Sequence, residues 1–299
     1  MPWGSAGAAL LLLAGFGVLG YPEISSWYSQ YQQSTLITEV TGSQALEGSA
    51  ELDAQLVAAA RYNDLLVGGA LVSPGSRLPT VAGDPGAHAQ YESLLNANHD
   101  GVMGRLRVSS INVDLPIYHG TSDDTLARGV GHLEGTSLPV GGPSQRTVLT
   151  AHRGLPEATL FDHLDLVRVG DLITIEIFGD VLTYRVFETQ TVLPEESQKV
   201  MPVPGKDLVT LVTCTPLGVN SHRILVTAER VTPTPPDIVA QAGARPDLPG
   251  FPWWAAIAGV LLISAVLYVW RSGRVSARRS CRSRTAASTS KRRGQSTQS

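Results

Sequence analysis

The strongest constraint on the fold is a stretch of 18 consecutive residues near the C-terminus without a charged side chain. It covers residues 253–270, WWAAIAGVLLISAVLYVW, and has tryptophans at both ends. A helix of this length can cross a bilayer, and aromatic residues are enriched at membrane interfaces. A buried core helix is the alternative, but a helix that is apolar all round suits lipid better than a half-solvated core. We therefore predict a transmembrane helix over residues 253–270.

The charges divide unequally on the two sides of this segment. Residues 271–299 hold nine of the 23 Lys and Arg and no Asp or Glu, which leaves 14 basic against 26 acidic residues before Arg271. The net charge of −3 is thus +9 in the tail and −12 in the rest. The positive-inside rule places the tail in the cytoplasm and the acidic region outside the cell. Confinement of the net positive charge to a tail argues against a nucleic-acid partner.

A second apolar run lies at the N-terminus, at residues 6–20, and we assign residues 1–21 to a signal or anchor segment. It lacks a basic flank, since the first basic residue is Arg61. A cleaved signal, an uncleaved anchor and a wrongly assigned start codon all remain open. Either of the first two exports residues 21–252.

The two cysteines exclude a disulfide scaffold. Cys214 falls in the exported region and Cys281 in the tail, so they cannot pair with each other. Cys281 is expected to be an ordinary reduced thiol. An exported single Cys214 is either buried and inert or a reactive thiol.

The exported region begins with helices. Residues 22–100 form a helical N-terminal region, in which Leu52, Leu56 and Ala59 or Ala60 have helical spacing. Within it, residues 73–90 are dense in Pro, Gly and Ser and predict a loop, followed by a short helix over residues 91–96.

From about Met103 the pattern changes to the alternation of β-strands. In ITIEI, residues 173–177, three isoleucines share one face. Many short strands with few helices indicate a closed or nearly closed β-barrel, which we assign to residues 101–232, and the Pro-rich residues 233–252 predict a stiff, extended linker to the membrane. The expected strands are 103–107, 111–118, 147–151, 173–177, 182–186, 208–213 and 223–231, with short helical pieces at 122–128 and 160–164.

The chemistry-bearing residues fall at strand ends. Cys214 ends an apolar run before Thr215 and Pro216, and Arg223 opens the next strand nine residues later. If the two strands are antiparallel neighbours, Cys214 and Arg223 face each other at one rim, where a guanidinium favours thiolate and donates to an oxyanion. On this pattern alone, a buried inert Cys is the commoner outcome.

His152 changes that balance, because it too follows a short apolar strand, in VLTAHRG. A thiol and an imidazole at neighbouring strand ends are what nucleophilic acyl transfer needs. A metal site is not expected, because neither Cys-rich zinc spacing nor HExxH is present. Ordinary surface or satisfied polar roles are expected for the other histidines, which are His88, His99, His119, His132, His163 and His222.

Three strings together resemble the sortases, and most of all the class C, pilus-assembling sortases of Gram-positive bacteria. They are GVGHLEGTSLPVGG, TVLTAHRGLPEATLFDHLDLVRVGD and TLVTCTPLGVNSHRILVTAER, and the resemblance covers about residues 84–231 and the flanking membrane segments. It implies a mainly β fold, an eight-stranded sortase-type β-barrel with N-terminal helices and flanking transmembrane segments. It also implies that Cys214 is the nucleophile, His152 the general acid/base, and Arg223 the group that orients substrate and stabilises the oxyanion.

Class C sortases also share a lid with an Asp-Pro-aromatic tripeptide, and the matching residues here are Asp84, Pro85 and Gly86. An ordinary Asp-Pro-Gly turn is the alternative. The resemblance favours a lid in which Asp84 pairs with Arg223. Gly86 stands where the aromatic is expected, so the lid should be looser, because glycine is freer and brings no ring to stack over the thiol.

The activity implied is cleavage of a Leu-Pro-x-Thr-Gly-like sorting signal between Thr and Gly, through a thioacyl-enzyme that an amine then resolves. The expected partners are surface proteins or pilin subunits with such a signal and an amine acceptor, either a pilin Lys or a peptidoglycan precursor. No cofactor is needed. Two alternatives are kept: a sortase that anchors single proteins to peptidoglycan, and a non-catalytic, membrane-tethered binding barrel.

Overall fold

The computed structural model of the protein describes residues 3–44, 49–72, 85–96 and 101–293. The chain divides into two compact units, one of Met1–Ser25 with Gly250–Ser299 and the other of Ser26–Pro249. The α-helices in the described residues are α1 (Trp3–Gln44), α2 (Ser49–Val72), α3 (Pro85–Ser93), α4 (Asp123–Arg128), α5 (Pro236–Val239) and α6 (Trp253–Arg293). The strands are β1 (Val102–Val108), β2 (Val113–His119), β3 (Val130–His132), β4 (Gln145–Thr150), β5 (Leu172–Ile177), β6 (Asp180–Val192), β7 (Asp207–Thr215) and β8 (His222–Arg230).

The strands form a closed barrel in the order β1-β2-β3-β4-β7-β8-β6-β5, with β5 pairing back onto β1. The β2–β3 and β4–β7 pairs are parallel and the other pairs are antiparallel. The predicted eight-stranded barrel is confirmed. Seven of the strands overlap the predicted ones, but β3 was not predicted, because its three residues, Val130 to His132, are too few to show a period.

The inward faces of the strands build the barrel core. Ile173, Ile175 and Ile177 on β5 are each fully buried, as the alternation in ITIEI predicts. On β7 and β8 the same parity buries Leu211 and Val226. Full burial of one such side chain stabilises the fold by about 1.5–3 kcal/mol. Because the side chains of a strand alternate between its two faces, burying these residues also directs their neighbours along the chain outward.

The outer face of β1 and β5 is covered by the segment after β8. Glu176 on β5 is buried, and its Oε1 accepts a hydrogen bond of 2.7 Å from the Gly243 N–H. Arg105 on β1 donates from Nη1 to the Ala244 carbonyl at 2.6 Å and binds Asp114 through Nε and Nη2, both at 2.6 Å. Buried charges require such partners. The predicted stiff, extended linker over residues 233–252 is therefore wrong for residues 236–244, which contain α5 and pack on the barrel.

Helix α2 docks onto the barrel along the predicted stripe. Leu52 and Ala59 are buried, and Leu56 packs against the main core. Asn63, also buried, pairs with both backbone groups of Leu138, accepting from its N–H at 2.7 Å and donating to its carbonyl at 3.0 Å. An amide side chain can satisfy a donor and an acceptor together, so this pair fixes the position of α2 along the barrel.

Helix α3 begins at Pro85, so the loop and the later helix start predicted for residues 85–90 are wrong. Proline is well tolerated in the first turn of a helix, where its missing N–H has no intrahelical partner. The helix is held by Tyr91, which is fully buried and accepts a hydrogen bond of 2.9 Å from the Gly120 N–H. The rest of the predicted loop, residues 73–84 with Asp84, lies outside the described residues.

Two helices are long and apolar enough to cross a membrane, judged by length and composition. The spans are Trp3–Gly42 and Trp253–Arg274, and they include the N-terminal apolar run and the residues 253–270 predicted to cross the bilayer. Helix α6 continues through the basic tail to Arg293.

Candidate active site

Cys214 and Arg223 lie directly opposite each other in the antiparallel pair of β7 and β8. Directly opposite residues project their side chains on the same face of a sheet, with Cβ atoms about 4.5–5.5 Å apart. Six residues, 216–221, connect the two strands. The expected cross-strand relationship between the thiol and the guanidinium is therefore present.

The two side chains lie on the outer face of the barrel. On β7, Val209 and Leu211 belong to the interior core, and on β8 Ile224, Val226 and Ala228 do so. Because side chains alternate along a strand, Cys214 and Arg223 point away from that core. Both residues are half-buried.

His152 follows β4, the parallel neighbour of β7. The register pairs Thr150 with Val212, and continuing it by two residues sets His152 beside Cys214. The β4 and β7 segments stay in contact beyond Thr150, because Thr213 Oγ1 donates to the Ala151 carbonyl at 2.8 Å. Ala151 belongs to the core, so the same alternation directs His152 outward. The structure thus brings the three predicted residues to neighbouring positions on one face.

Arg223 is fixed at the rim by carbonyl groups. Its Nη1 donates to the Asn220 carbonyl at 2.8 Å and to the His222 carbonyl at 3.0 Å. Guanidinium has five N–H donors, so two bonds from one nitrogen leave others for a substrate carbonyl. The arrangement positions a permanent cation beside Cys214.

The segment after His152 is anchored to the barrel by a residue to which sequence reasoning gave no role. Arg153 contacts the Asp162 carbonyl, the Asp165 carboxylate and the Thr215 hydroxyl. The only signal in the sequence was its place directly after His152, which does not reveal partners nine to 62 residues away.

Among the other histidines, His132 and His88 make polar side-chain contacts away from the candidate site. His132 is completely buried; its Nε2 donates to the Ser137 carbonyl at 3.0 Å, so its Nδ1 accepts from the Tyr91 hydroxyl at 2.9 Å. Burial lowers the pKa of His132 to about 4, because the charged form loses its hydration. His88 forms an exposed pair with Glu134 at 3.1 Å, and that hydrogen bond raises the pKa of His88.

The predicted lid residues are only partly described. Gly86 lies in the first turn of α3, while Asp84 lies outside the described residues, and so does His99. In the described part of the chain, no group of three or more His, Cys, Asp or Glu side chains is arranged to hold a metal ion.

Three comparisons with known proteins, by domain family, by sequence and by fold, agree with one another. The sortase domain family matches residues 106–231. Sortase A of Streptococcus agalactiae is 30% identical over 145 residues, which are 46% of this chain and 58% of that protein. Sortase D of Bacillus subtilis is 29% identical over 132 residues, 43% of this chain and 64% of that protein. The chain thus spans less than two thirds of the length of these curated relatives.

Solved structures are matched almost completely. Sortase C-1 of Actinomyces oris is 45% identical with a TM-score of 0.55, over 61% of this chain and 98% of that one. Sortase C1 of Streptococcus agalactiae is 36% identical with a TM-score of 0.61, over 67% and 100%. A lid mutant of sortase A from Corynebacterium diphtheriae is 40% identical with a TM-score of 0.58, over 64% and 99%. With this coverage, and with a closed barrel that carries Cys214, His152 and Arg223 on one face, the chain belongs to the sortase family.

Proposed function

We propose that the protein is a membrane-anchored cysteine transpeptidase that cleaves a Leu-Pro-x-Thr-Gly-like sorting signal between Thr and Gly and joins the new carboxyl end to an amine. The observation that carries the proposal is the placement of a thiol, an imidazole and a guanidinium on one outer face of the adjacent strands β4, β7 and β8. These are the groups that nucleophilic acyl transfer needs.

In the first half-reaction, the Cys214 thiolate attacks the Thr carbonyl carbon of the sorting signal. Arg223 donates to the carbonyl oxygen as negative charge develops on it, which lowers the barrier because the donor is already in place. The carbon–nitrogen bond to Gly then breaks, and protonated His152 gives its proton to the departing amine. The product is a thioester on Cys214 and a free Gly-containing peptide.

In the second half-reaction, an amine attacks the thioester and loses a proton to His152. The carbon–sulfur bond breaks, an amide forms, and Cys214 leaves as thiolate. A pilin Lys is the acceptor we favour. Among the solved relatives, sortase C of Streptococcus pneumoniae, at 36% identity and a TM-score of 0.57, has pilin substrate specificity. Sortase C1 of the pilus island 1 of group B Streptococcus is 35% identical with a TM-score of 0.56.

The two candidate membrane spans support a membrane location. We place the catalytic barrel outside the cell and the basic tail in the cytoplasm, because the positive-inside rule orients α6 with Arg271 and Arg274 on the inner side. Residues 84–86 act as a lid in this proposal, with Asp84 directed to Arg223.

The test is cleavage of a fluorogenic Leu-Pro-x-Thr-Gly-type peptide by the detergent-solubilised protein and by Cys214→Ala. Thioester formation requires the sulfur, so we expect cleavage by the wild type and none by the variant. Equal behaviour of the two proteins would support the non-catalytic barrel instead.

A second experiment identifies the acceptor. Incubation with a pilin that has a sorting signal and an acceptor Lys should yield a covalent ladder of high molecular weight. A pilin in which that Lys is replaced by Arg is the control and should give no ladder. Cleavage without any ladder would favour the anchoring of single proteins to peptidoglycan.

A further inference from the structure

The guanidinium of Arg153 connects three parts of the chain around the candidate active site. Its Nε donates to the Asp162 carbonyl at 2.9 Å, its Nη1 to Thr215 Oγ1 at 3.2 Å, and its Nη2 lies 2.8 Å from Asp165 Oδ2. The side chain is only 11% exposed. A buried guanidinium with a partner on every nitrogen has one orientation, because each rotation would leave a donor unpaired.

The Nη1 bond joins two residues that each directly follow a candidate catalytic residue. Arg153 directly follows His152, and Thr215 directly follows Cys214. The bond therefore ties the backbone that holds the imidazole to the backbone that holds the sulfur. The pairing contacts of β4 and β7 stop one residue short of both catalytic positions, since β4 ends at Thr150 and the last contacts join Ala151 to Val212 and Thr213.

Asp162 and Asp165, the other two partners of Arg153, belong to a segment that is itself held in place by hydrogen bonds from backbone N–H groups. The backbone carbonyl of His152 accepts a hydrogen bond of 3.1 Å from the Phe161 N–H, and Phe161 is completely buried. Asp162 also accepts from the Gly154 N–H at 2.5 Å through Oδ1. The segment from His152 to Asp165 is thus folded back on itself. Through Arg153, this segment is hydrogen-bonded to Thr215 on β7.

We propose that Arg153 is a positioning residue that sets the distance between His152 and Cys214 by bonding to Thr215. This inference rests on the proposed acyl transfer, in which His152 must exchange protons with groups at Cys214. Displacement of a reacting group by about 1 Å can cost about 100-fold in rate, so loss of one positioning bond has a measurable effect on kcat.

The decisive variants are at Thr215, because it lies outside the folded segment that holds His152. Thr215→Val keeps the size of the side chain and removes the hydroxyl, whereas Thr215→Ser keeps the hydroxyl. We expect Thr215→Val to lower kcat for the sorting-signal peptide about 5- to 50-fold with KM within about twofold. Thr215→Ser should retain most of kcat.

Variants of Arg153 complete the cycle. Arg153→Gln should lower kcat at least as much as Thr215→Val. The double variant Arg153→Gln/Thr215→Val should be no slower than Arg153→Gln, because both changes remove the same bond. Arg168→Gln, at an exposed position after the same segment, is the matched control and should behave as the wild type.

A readout without substrate separates this proposal from the transpeptidase function. The pH dependence of Cys214 alkylation by iodoacetamide reports the imidazole beside the sulfur. In Thr215→Val it should move toward the profile of His152→Ala, while Thr215→Ser keeps the wild-type profile. If the wild type cleaves no peptide, the proposed function fails, yet the alkylation profiles still test Arg153. Equal kcat and equal alkylation profiles for Thr215→Val and Thr215→Ser, or additive losses in the double variant, would overturn the proposal.

Discussion

Cys214 and Arg223 are cross-strand partners at the rim of the barrel, and the guanidinium is already fixed there by the Asn220 and His222 carbonyls. A donor held in place before the reaction costs no reorganisation when the oxyanion forms. Arg223→Lys retains the positive charge but loses the planar fork. We therefore expect kcat for the sorting-signal peptide to fall about 100- to 1,000-fold, the range found on removal of one oxyanion donor.

Peptide-cleavage kinetics test this expectation, with Arg185→Lys as the control. Arg185 is an exposed arginine on β6, away from the β7–β8 rim, and its replacement should leave kcat unchanged. A wild-type kcat for Arg223→Lys would mean that the fork does not act on the oxyanion.

The buried His132 predicts a loss of stability in acid. Burial lowers the pKa of His132 to about 4 from the ordinary 6.5, so between these values the unfolded chain binds more protons than the folded one. The contribution is complete above pH 6.5 and is lost as the pH falls toward the folded pKa. At about 1.4 kcal/mol per pKa unit, the free energy of unfolding falls by about 3 kcal/mol over this range.

Urea denaturation at near-neutral pH and at about pH 5 measures this dependence. His132→Gln cannot titrate, so the difference between the two conditions should shrink. His163→Gln, at an exposed position, is the control and should keep the wild-type difference. An unchanged difference in His132→Gln would assign the acid sensitivity to other groups, such as the carboxylates.

The origin of the site in the sequence differs from residue to residue. Cys214 and Arg223 could be predicted to face each other because both lie on consecutive strands whose alternation is visible. The place of His152 depends on the parallel pairing of β4 with β7, strands whose first residues are 62 positions apart, and no local pattern encodes this pairing. The prediction that His152 belongs to the site therefore rested on the chemistry of its imidazole and on the sortase-like motif.

The parts that the sequence did not reveal depend on tertiary contacts. The polar face of β1 and β5, read alone, suits water, but Glu176 is buried beneath the segment after β8. The Pro-rich composition of that segment predicted extension, and the partners required by Arg105 and Glu176 bring it onto the barrel instead. Similarly, Pro85 signals a loop until its place in the first turn of α3 is known.

The predicted lid contact between Asp84 and Arg223 has a testable consequence. Asp84→Ala removes the proposed partner of Arg223, so the lid should open more often and alkylation of Cys214 should become faster. An exposed salt bridge contributes at most about 1 kcal/mol, which limits the expected increase to about fivefold. The alkylation rate of Cys214 in the resting protein is the measurement.

Asp53→Ala, at an exposed position of α2, is the matched control for this change and should leave the alkylation rate unaltered. Equal alkylation rates in Asp84→Ala and the wild type would argue against a lid role for Asp84. A slower rate would indicate that Asp84 raises the reactivity of the thiol.

Gly154, two residues after His152, has a φ of +78°, and a Cβ placed there would lie 2.5 Å from Cδ2 of Leu217. Leu217 is 56% exposed and its side-chain end can move, so the contact is cheaply relieved. The left-handed backbone conformation at this position remains, and it costs a non-glycine residue about 1–2 kcal/mol. We expect Gly154→Ala to lower the free energy of unfolding by about 1 kcal/mol and to lower kcat, and Leu217→Ala should not restore either one.

Gly179 is the matched control, because its φ is +90° and a Cβ there would meet nothing within 4 Å. It lies in the turn between β5 and β6, so Gly179→Ala should lose similar stability in urea denaturation and keep wild-type kcat. If Leu217→Ala restored Gly154→Ala fully, the side-chain contact would be the cause of the loss. Full restoration is not expected, because the αL backbone of Gly154 is what lets the chain turn directly after His152 and Arg153 and so keeps the imidazole beside Cys214.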